Sequence, residues 1–289
     1  MNLFDYSRFV RHLPYYFSDY RSRHICSQLG LGHGYIAINK SVFFQCPSNP
    51  IAHSVFRDMA FCAQTRNETK EFLELSAGCC NFVDIGASGG FFSVLFAVSR
   101  TEASTILSIE PDGGAYQVLV DLCERNQRKT VKWEIDLRGV MHETRKEVFV
   151  SSGYGAEVTS VRALNNARQR AGENNLVSTV FEVHCAKLDD IISDHFMHPD
   201  IIKIDIESFE FELVHSSLDF LRRWRPRIML ELHVALLQAR GRDPELLLAS
   251  LDSIGYRRFL KPRKELHTLL TEADASGVVR AGLLPDRVA

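Results

Sequence analysis

The sequence predicts an α/β fold in which a parallel sheet is covered by helices on both faces and is entered through an N-terminal extension. Three observations carry this. From Gly78 onward, short apolar runs alternate with amphipathic stretches, the pattern of β-α units feeding a parallel sheet. Several of the apolar runs end in an acidic residue followed by a turn into a helical stretch. The chain has 289 residues, 45% of them apolar, enough to fill a sizeable core.

Hydrophobic period and turn residues place strands at 81–85, 105–110, 131–135, 201–206 and 227–231, and helices at 90–99, 114–126, 207–221 and 244–254. The stretch 139–185 breaks the rhythm: 146–150 and 180–183 read as strands, and glycines and asparagines crowd the interval between them. A connection that long inside a compact domain is commonly functional, and 151–175 is a candidate segment to close over a substrate. Residues 1–75 read as a partly helical extension, 76–275 as the main domain and 276–289 as a C-terminal tail. In the extension, Phe4, Tyr6, Phe9, Tyr15, Tyr16 and Phe17 are expected to pack it onto the domain, and with an exposed sheet edge they leave a homodimer open.

Composition narrows the partners. Lys plus Arg number 34 against 36 Asp plus Glu, so no global field exists to capture nucleic acid or an anionic membrane. No uncharged apolar run approaches the length of a membrane span, and Asp5, Arg8 and Arg11 interrupt the N-terminus, so neither a signal peptide nor a transmembrane helix is expected. The seven cysteines are scattered without a C-x-x-C pair, which suits buried free thiols in a reducing cytoplasm. Arg222, Arg223, Arg225 and Arg227, and later Arg257, Arg258, Lys261, Arg263 and Lys264, form basic clusters that read as solvated faces.

Four segments carry chemistry. In FVDIGASGGFF, residues 82–92, an apolar strand enters a small-residue turn with Asp84, Gly86, Ser88 and Gly90 at alternate positions. Small residues there let the backbone approach a ligand, and the next helix offers free N–H groups. The register is not that of G-x-G-x-x-G, which argues against a nicotinamide-dependent oxidoreductase. It fits an acidic-x-G-x-G-x-G turn with Ser88 at the middle glycine. In SIEPD, residues 108–112, Glu110 and Pro111 close a strand, and the Glu110 carboxylate is placed to accept both ribose hydroxyls of an adenosine. DIIKIDIESFEFE, residues 200–212, ends a strand in Asp205 and Glu207 and leads into Glu210, while PRIMLELH ends in Glu231 and His233. Carboxyl ends of strands in an open α/β sheet face one crevice, so these acids are expected to meet there. Helix-start acids favoured by the macrodipole are the structural alternative for Glu207 and Glu210, and a packing role is the alternative for His233.

Taken in order, FVDIGASGGFFS, SIEPD, KLDDII, DIIKIDIESFEFELV and PRIMLELH resemble the FkbM family of S-adenosylmethionine-dependent methyltransferases over roughly residues 80–235. The resemblance implies a Rossmann-like, mostly parallel seven-stranded sheet of the class I methyltransferase type. It also implies cofactor binding along Asp84, Gly86, Ala87, Ser88 and Gly90 and at Glu110 with Pro111, and O-methylation of a hydroxyl on a small molecule or saccharide. Ser208 stands where the family has glycine, which bears on the close approach expected at that turn. Asp205 and Glu207 match the family's D-x-E pair, and with His233 they are the candidates for the base that takes the acceptor's proton. Should Asp205 and Glu207 converge with Glu231 or His233, their oxygens and imidazole would also suit a divalent ion without selecting one; S-adenosylmethionine alone, with no metal, is the expected cofactor set. A cofactor-binding module without activity is the other reading, motivated by Ser208 and the extension.

Overall fold

The computed structural model describes residues 33–37, 43–47, 63–151, 156–158, 179–195, 197–260 and 265–286. Strands β1 (His33–Ala37) and β2 (Phe43–Pro47) form an antiparallel pair ahead of helix α1 (Ala63–Leu75). Then come β3 (Asn81–Ile85), α2 (Phe91–Ser99), β4 (Ser104–Ile109), α3 (Gly113–Arg125) and β5 (Val131–Asp136). A second, four-stranded sheet follows from β6 (Gly139–Val140), β7 (Arg145–Ser151), β8 (Ala156–Val158) and β9 (Thr179–Ala186), in the order β6-β9-β7-β8. The chain continues through α4 (Leu188–Asp194), β10 (Ile201–Ile204), α5 (Glu210–Ser216), α6 (Leu218–Trp224), β11 (Arg227–His233), α7 (Val234–Ala239), α8 (Pro244–Ser253) and β12 (Tyr256–Arg258). A 3-10 helix (Leu266–Glu272) and β13 (Val278–Pro285) complete it.

The main sheet has seven strands in the order β12-β13-β11-β10-β3-β4-β5. Its five central and outer strands from β11 to β5 are parallel, and β13 runs antiparallel to both β11 and β12. Chain order reverses between β3 and β10, so the connections leave those two strands in opposite directions and open a crevice at their carboxyl ends. This is a Rossmann-like methyltransferase sheet, as the resemblance implied.

Period-2 alternation divides the strands between two cores. Val83, Ile85, Leu107, Ile109, Ile202, Ile204, Ile228, Leu230 and Leu232 pack on one face with residues of α4 to α8. Phe82, Ile106, Ile201 and Met229 pack on the other with Phe72 and Leu75 of α1 and Val94 to Val98 of α2. On this second face the strands are apolar where they begin and polar where they end: the positions next in alternation are Asp84, Ser108, Lys203 and Glu231. Polar groups therefore gather at the crevice end of one face.

Two expectations need correction. The segment 276–289, read as a tail, contains β13, which sits inside the sheet between β11 and β12. The helix expected over 207–221 begins only at Glu210 and divides at Ser217, whose N–H closes α5 onto Leu213 O at 3.0 Å while its own carbonyl starts α6. Glu207 and Ser208 have φ of +48° and +85°, outside helical values, so the first turn is spent reversing the chain out of β10. The aromatic cluster of the extension, most of 151–175 and Lys261, Arg263 and Lys264 lie outside the described residues. No helix among the described residues is long and apolar enough to cross a membrane.

Candidate active site

The turn leaving β3 is shaped by left-handed residues. Gly86, Ser88 and Gly90 have φ of +77°, +48° and +83°. A Cβ on Gly90 would meet Leu119 Cδ1 of α3 at 2.4 Å, so the helix that begins at Phe91 packs where only glycine fits. Ser88 occupies the middle position in a conformation glycine adopts at no cost. Its N–H is fixed by Glu110, whose Oε2 accepts it at 2.7 Å; Glu110 Oε1 accepts the Asp112 N–H at 2.7 Å. One carboxylate thus ties the turn after β3 to the turn after β4. Asp112 in turn caps α3, its Oδ1 accepting from Gly114 N at 2.7 Å and Ala115 N at 3.1 Å. Burial lifts the Glu110 carboxyl to about 7, against the pull of its two backbone hydrogen bonds.

Asp84 is placed differently from the rest of the motif. It lies beneath the turn, 1% exposed, with Oδ2 accepting from Ser93 Oγ at 2.6 Å. Ser93 Oγ also meets Ser108 Oγ at 2.7 Å, and Trp133 Nε1 donates to Ser108 Oγ at 2.8 Å. The chain of hydrogen bonds runs under the sheet from β5 to β3. Burial raises the Asp84 carboxyl above its ordinary range.

Beside it, Lys203 projects from the middle of β10 and is itself buried. Its Nζ donates to Asp205 Oδ2 at 2.7 Å and lies 4.7 Å from the centroid of the Phe92 ring. Burial disfavours its charge, but Asp205, Glu231, Glu68 and Asp84 outweigh that and hold the ammonium above its usual range. Arg280, directly across from Glu231 in the β11–β13 register, donates to Glu231 Oε1 at 2.6 Å and Asp274 Oδ2 at 2.8 Å, with Glu68 Oε2 at 3.4 Å. Lys203, Arg280, Glu68 and Asp274 were not singled out from the sequence. Lys203 had a local signal, a lone charge inside the apolar run IIKI.

The acids meet as expected. His233 Nε2 is 3.6 Å from Glu207 Oε2, 3.9 Å from Asp205 Oδ1 and 4.0 Å from Glu231 Oε1, while Nδ1 bonds Glu210 Oε1 at 2.7 Å. Burial disfavours the imidazolium, yet the Glu210 hydrogen bond and the Glu207, Glu210 and Asp205 carboxylates raise His233 to about 10. Burial would raise Asp205, but Lys203 and His233 prevail and hold it below the ordinary carboxylate range. Glu231 is pushed up to about 8 by burial and by Asp205.

Residues 84–258, more than half of the chain, match the model of the methyltransferase FkbM domain. The chain belongs to the FkbM methyltransferase family. S-adenosylmethionine is therefore its cofactor. Among solved structures it is similar to methyltransferase FkbM from Methylobacillus flagellatus KT, at 16% identity and TM-score 0.46, over 81% of this chain and 54% of that one. The chain thus spans about half the length of that protein. It is also similar to precorrin-6y C5,15-methyltransferase from Geobacter metallireducens GS-15, at 9% identity and TM-score 0.40, covering 76% of this chain and 87% of that one. A third is M. jannaschii TYW2 in complex with AdoMet, at 12% identity and TM-score 0.32, covering 88% and 87%. No curated protein matches the chain.

In this FkbM methyltransferase, a cleft of about 170 Å³ opens at the carboxyl ends of the strands. Gly86, Ser88, Glu110, Pro111, Asp205, Glu207 and Phe209 line it, together with Gly139, Val140 and Phe149 of the second sheet and Met141 just after β6. The donor set suits the cofactor: a carboxylate for sugar hydroxyls, apolar walls from Ile85, Ile109 and Met141 for a purine, and anionic groups for a sulfonium and an amine. Ala87, Gly90 and Asp84 do not line the cleft; they shape and support the turn. His233 stands behind Asp205 and Glu207. Of the first basic cluster, Arg222 and Arg223 are exposed, while Arg227 Nη1 donates to the Leu75 and Ala77 carbonyls at 2.6 and 2.7 Å and Arg225 Nη2 to Asp286 O at 2.8 Å.

Proposed function

We propose that this FkbM methyltransferase transfers a methyl group from S-adenosylmethionine to a hydroxyl oxygen of a small molecule or saccharide. The observation that carries the reading is that the Glu110 carboxylate and the Asp205–Glu207 pair line one cleft. In this reading Glu110 accepts the ribose hydroxyls and Pro111 borders the base, while Gly86, Ala87, Ser88 and Gly90 shape the turn against the cofactor and Asp84 braces it from below. The cofactor supplies an already activated methyl carbon, so the protein's work is alignment and proton removal. Asp205, pinned by Lys203, orients the acceptor hydroxyl, and Glu207 takes its proton. His233 holds both carboxylates in place.

Among the described residues the ionisable groups that line the cleft are carboxylates, which favours a hydroxylated, uncharged or cationic acceptor over a phosphorylated one, and the near balance of charge sets up no overall field for nucleic acid. Free thiols at Cys79, Cys80, Cys123 and Cys185 favour the cytoplasm as its compartment.

Isothermal titration with S-adenosylmethionine and S-adenosylhomocysteine on wild type and Glu110→Ala tests the cofactor site. Binding by wild type and its loss in the variant is expected; no binding by folded wild type overturns the site. Mass spectrometry across hydroxylated small molecules and sugars, scored against amines, then tests the acceptor: a product mass gain confined to amines overturns oxygen transfer.

A further inference from the structure

Four carboxylates, Asp205, Glu207, Glu210 and Glu231, surround the His233 imidazole. Lys203 and Arg280 are the cations that contact Asp205 and Glu231, and each engages only part of its partner: Lys203 bonds Asp205 Oδ2, which leaves Oδ1 turned toward His233, and Arg280 bonds Glu231 Oε1 alone. His233 is 6% exposed, and its Nε2 makes no hydrogen bond to a described residue. It is instead aimed among three carboxylate oxygens at 3.6, 3.9 and 4.0 Å. These separations are too long for hydrogen bonds; two ligands that share a cation at about 2.0–2.2 Å from each lie about 2.8–3.6 Å apart, so an ion would draw these groups inward by a few tenths of an ångström to about an ångström.

A second observation fixes which nitrogen is offered. Glu210, fully buried, holds Nδ1 at 2.7 Å. A carboxylate behind one imidazole nitrogen orients the ring and presents the other, the arrangement found behind metal-binding histidines. Asp205, Glu231 and His233 present ligand atoms all within 4.8 Å of one another, and Glu207 approaches from the cleft side. Asp205 and Glu207 line the cleft, so an ion has a route in from solvent.

We propose that Asp205, Glu207, Glu231 and His233 bind one divalent cation where Asp205 and Glu207 line the cleft. Carboxylate oxygens with a single imidazole and no thiolate suit a Mn2+-like ion better than Ca2+, which prefers an all-oxygen shell of six to eight ligands. Bound there, the ion would draw the acceptor's hydroxyl oxygens to the Asp205–Glu207 pair and make the attacking one more acidic. That role rests on the proposed methyl transfer; the binding itself does not.

The test uses the full chain, stripped with a chelator and free of cofactor and acceptor. Titration with Mn2+ followed by electron paramagnetic resonance is expected to show one tight equivalent, and electron spin echo modulation of bound Mn2+ to show coupling to one imidazole nitrogen. Glu207→Gln, at the cleft edge, is expected to weaken Mn2+ binding about tenfold or more with an unchanged circular dichroism spectrum. His233→Asn is expected to remove the nitrogen coupling; if that variant does not fold, the wild-type spectrum and Glu207→Gln decide. No stoichiometric Mn2+ binding, binding without nitrogen coupling, or binding undiminished in Glu207→Gln overturns the site. Titrating the same metal-free protein with S-adenosylmethionine separates the two readings: cofactor binding without Mn2+ binding rejects the ion and leaves the methyltransferase site standing.

Discussion

Gly86 and Asp205 lie backbone against backbone: a Cβ on Gly86 would stand 1.8 Å from the Asp205 carbonyl oxygen. The Asp205 N–H also donates to the Ile85 carbonyl at 3.1 Å, so the turns that leave β3 and β10 are fastened at the point where the strand order reverses. A carbonyl in that position cannot swing aside as a side chain does. Gly86→Ala also places a Cβ at φ +77°. The variant is expected to lose more than about 3 kcal/mol of stability, or not to fold, and to lose cofactor binding. Urea denaturation near the wild-type midpoint would contradict this packing.

Ser208 presents the opposite case. It sits at φ +85°, where the family places glycine, and its Oγ accepts only a long hydrogen bond from Arg240 Nη1, at 3.5 Å. Its carbonyl accepts from Arg240 Nη1, and its N–H donates to Glu210 Oε1 at 3.1 Å; both are backbone groups that glycine retains. Ser208→Gly is expected to stabilise the protein by about 0.5–1 kcal/mol, offset in part by the added freedom of the unfolded chain. A differential scanning experiment should show a melting temperature higher by roughly 2 °C. A lower one would mean that the Oγ contributes a contact worth more than the backbone strain.

Glu110 gives the enzyme a pH dependence that starts at the cofactor. Its carboxyl titrates near 7 when folded, against an ordinary 4.5. A raised acid adds stability that is full below its unfolded value and is lost as pH rises through the folded one, so this group favours folding most in acid. If Glu110 holds the ribose as proposed, cofactor affinity runs the other way, because only the carboxylate accepts from two hydroxyls. The dissociation constant for S-adenosylhomocysteine, which lacks the sulfonium charge, is expected to fall about tenfold between pH 6 and pH 8. In Glu110→Gln it should be weak and flat. An equally steep profile in that variant would assign the dependence to another group.

Asp84 separates support from contact. Its Oδ1 has no hydrogen-bond partner among the described residues, and Oδ2 terminates the Trp133–Ser108–Ser93 chain. Asp84→Ala removes that acceptor and one counter-charge of buried Lys203, so a loss of about 1–3 kcal/mol is expected in urea denaturation. The folded variant should bind S-adenosylhomocysteine within a few-fold of wild type, whereas Glu110→Ala should not. Equal loss of affinity in both would place Asp84 in the cleft after all.

The parts of the site that were legible in the sequence are those whose geometry is local. Asp84, Gly86, Ser88 and Gly90 mark a strand, a left-handed turn and a helix start within nine residues, and Ile109–Glu110–Pro111 ends a strand where period 2 says it must. Glu207 and His233 could be placed at one crevice because parallel strands all end on the same side. What escaped was set by partners far along the chain. Val278–Pro285 is bounded by Gly277, carries Gly282 and Arg280, and becomes a strand because β11 and β12 both offer it an edge. Glu71 is buried because its Oε1 accepts the Gly282 N–H at 2.7 Å, across 211 residues. Glu207 and Ser208 fell inside a helical period, but the reversal out of β10 takes precedence over that pattern.

The place of β13 in the sheet also sets an order of events. Among the described residues β12 pairs with β13 alone, and β13 is made after it, so β12 waits for its partner while the ribosome adds the next residues. Arg280 is the last member of the ionic wall to be synthesised, and until it arrives Glu68 and Glu231 lack the guanidinium that pairs with both. A nascent chain halted before Val278 would hold the glycine turn and Glu110 in native sequence but an open sheet edge along β11. The surroundings of Asp205 and Glu231 are therefore the part of the site that matures last, and a stalled chain would be recognised by its exposed β11 edge rather than by a missing glycine turn.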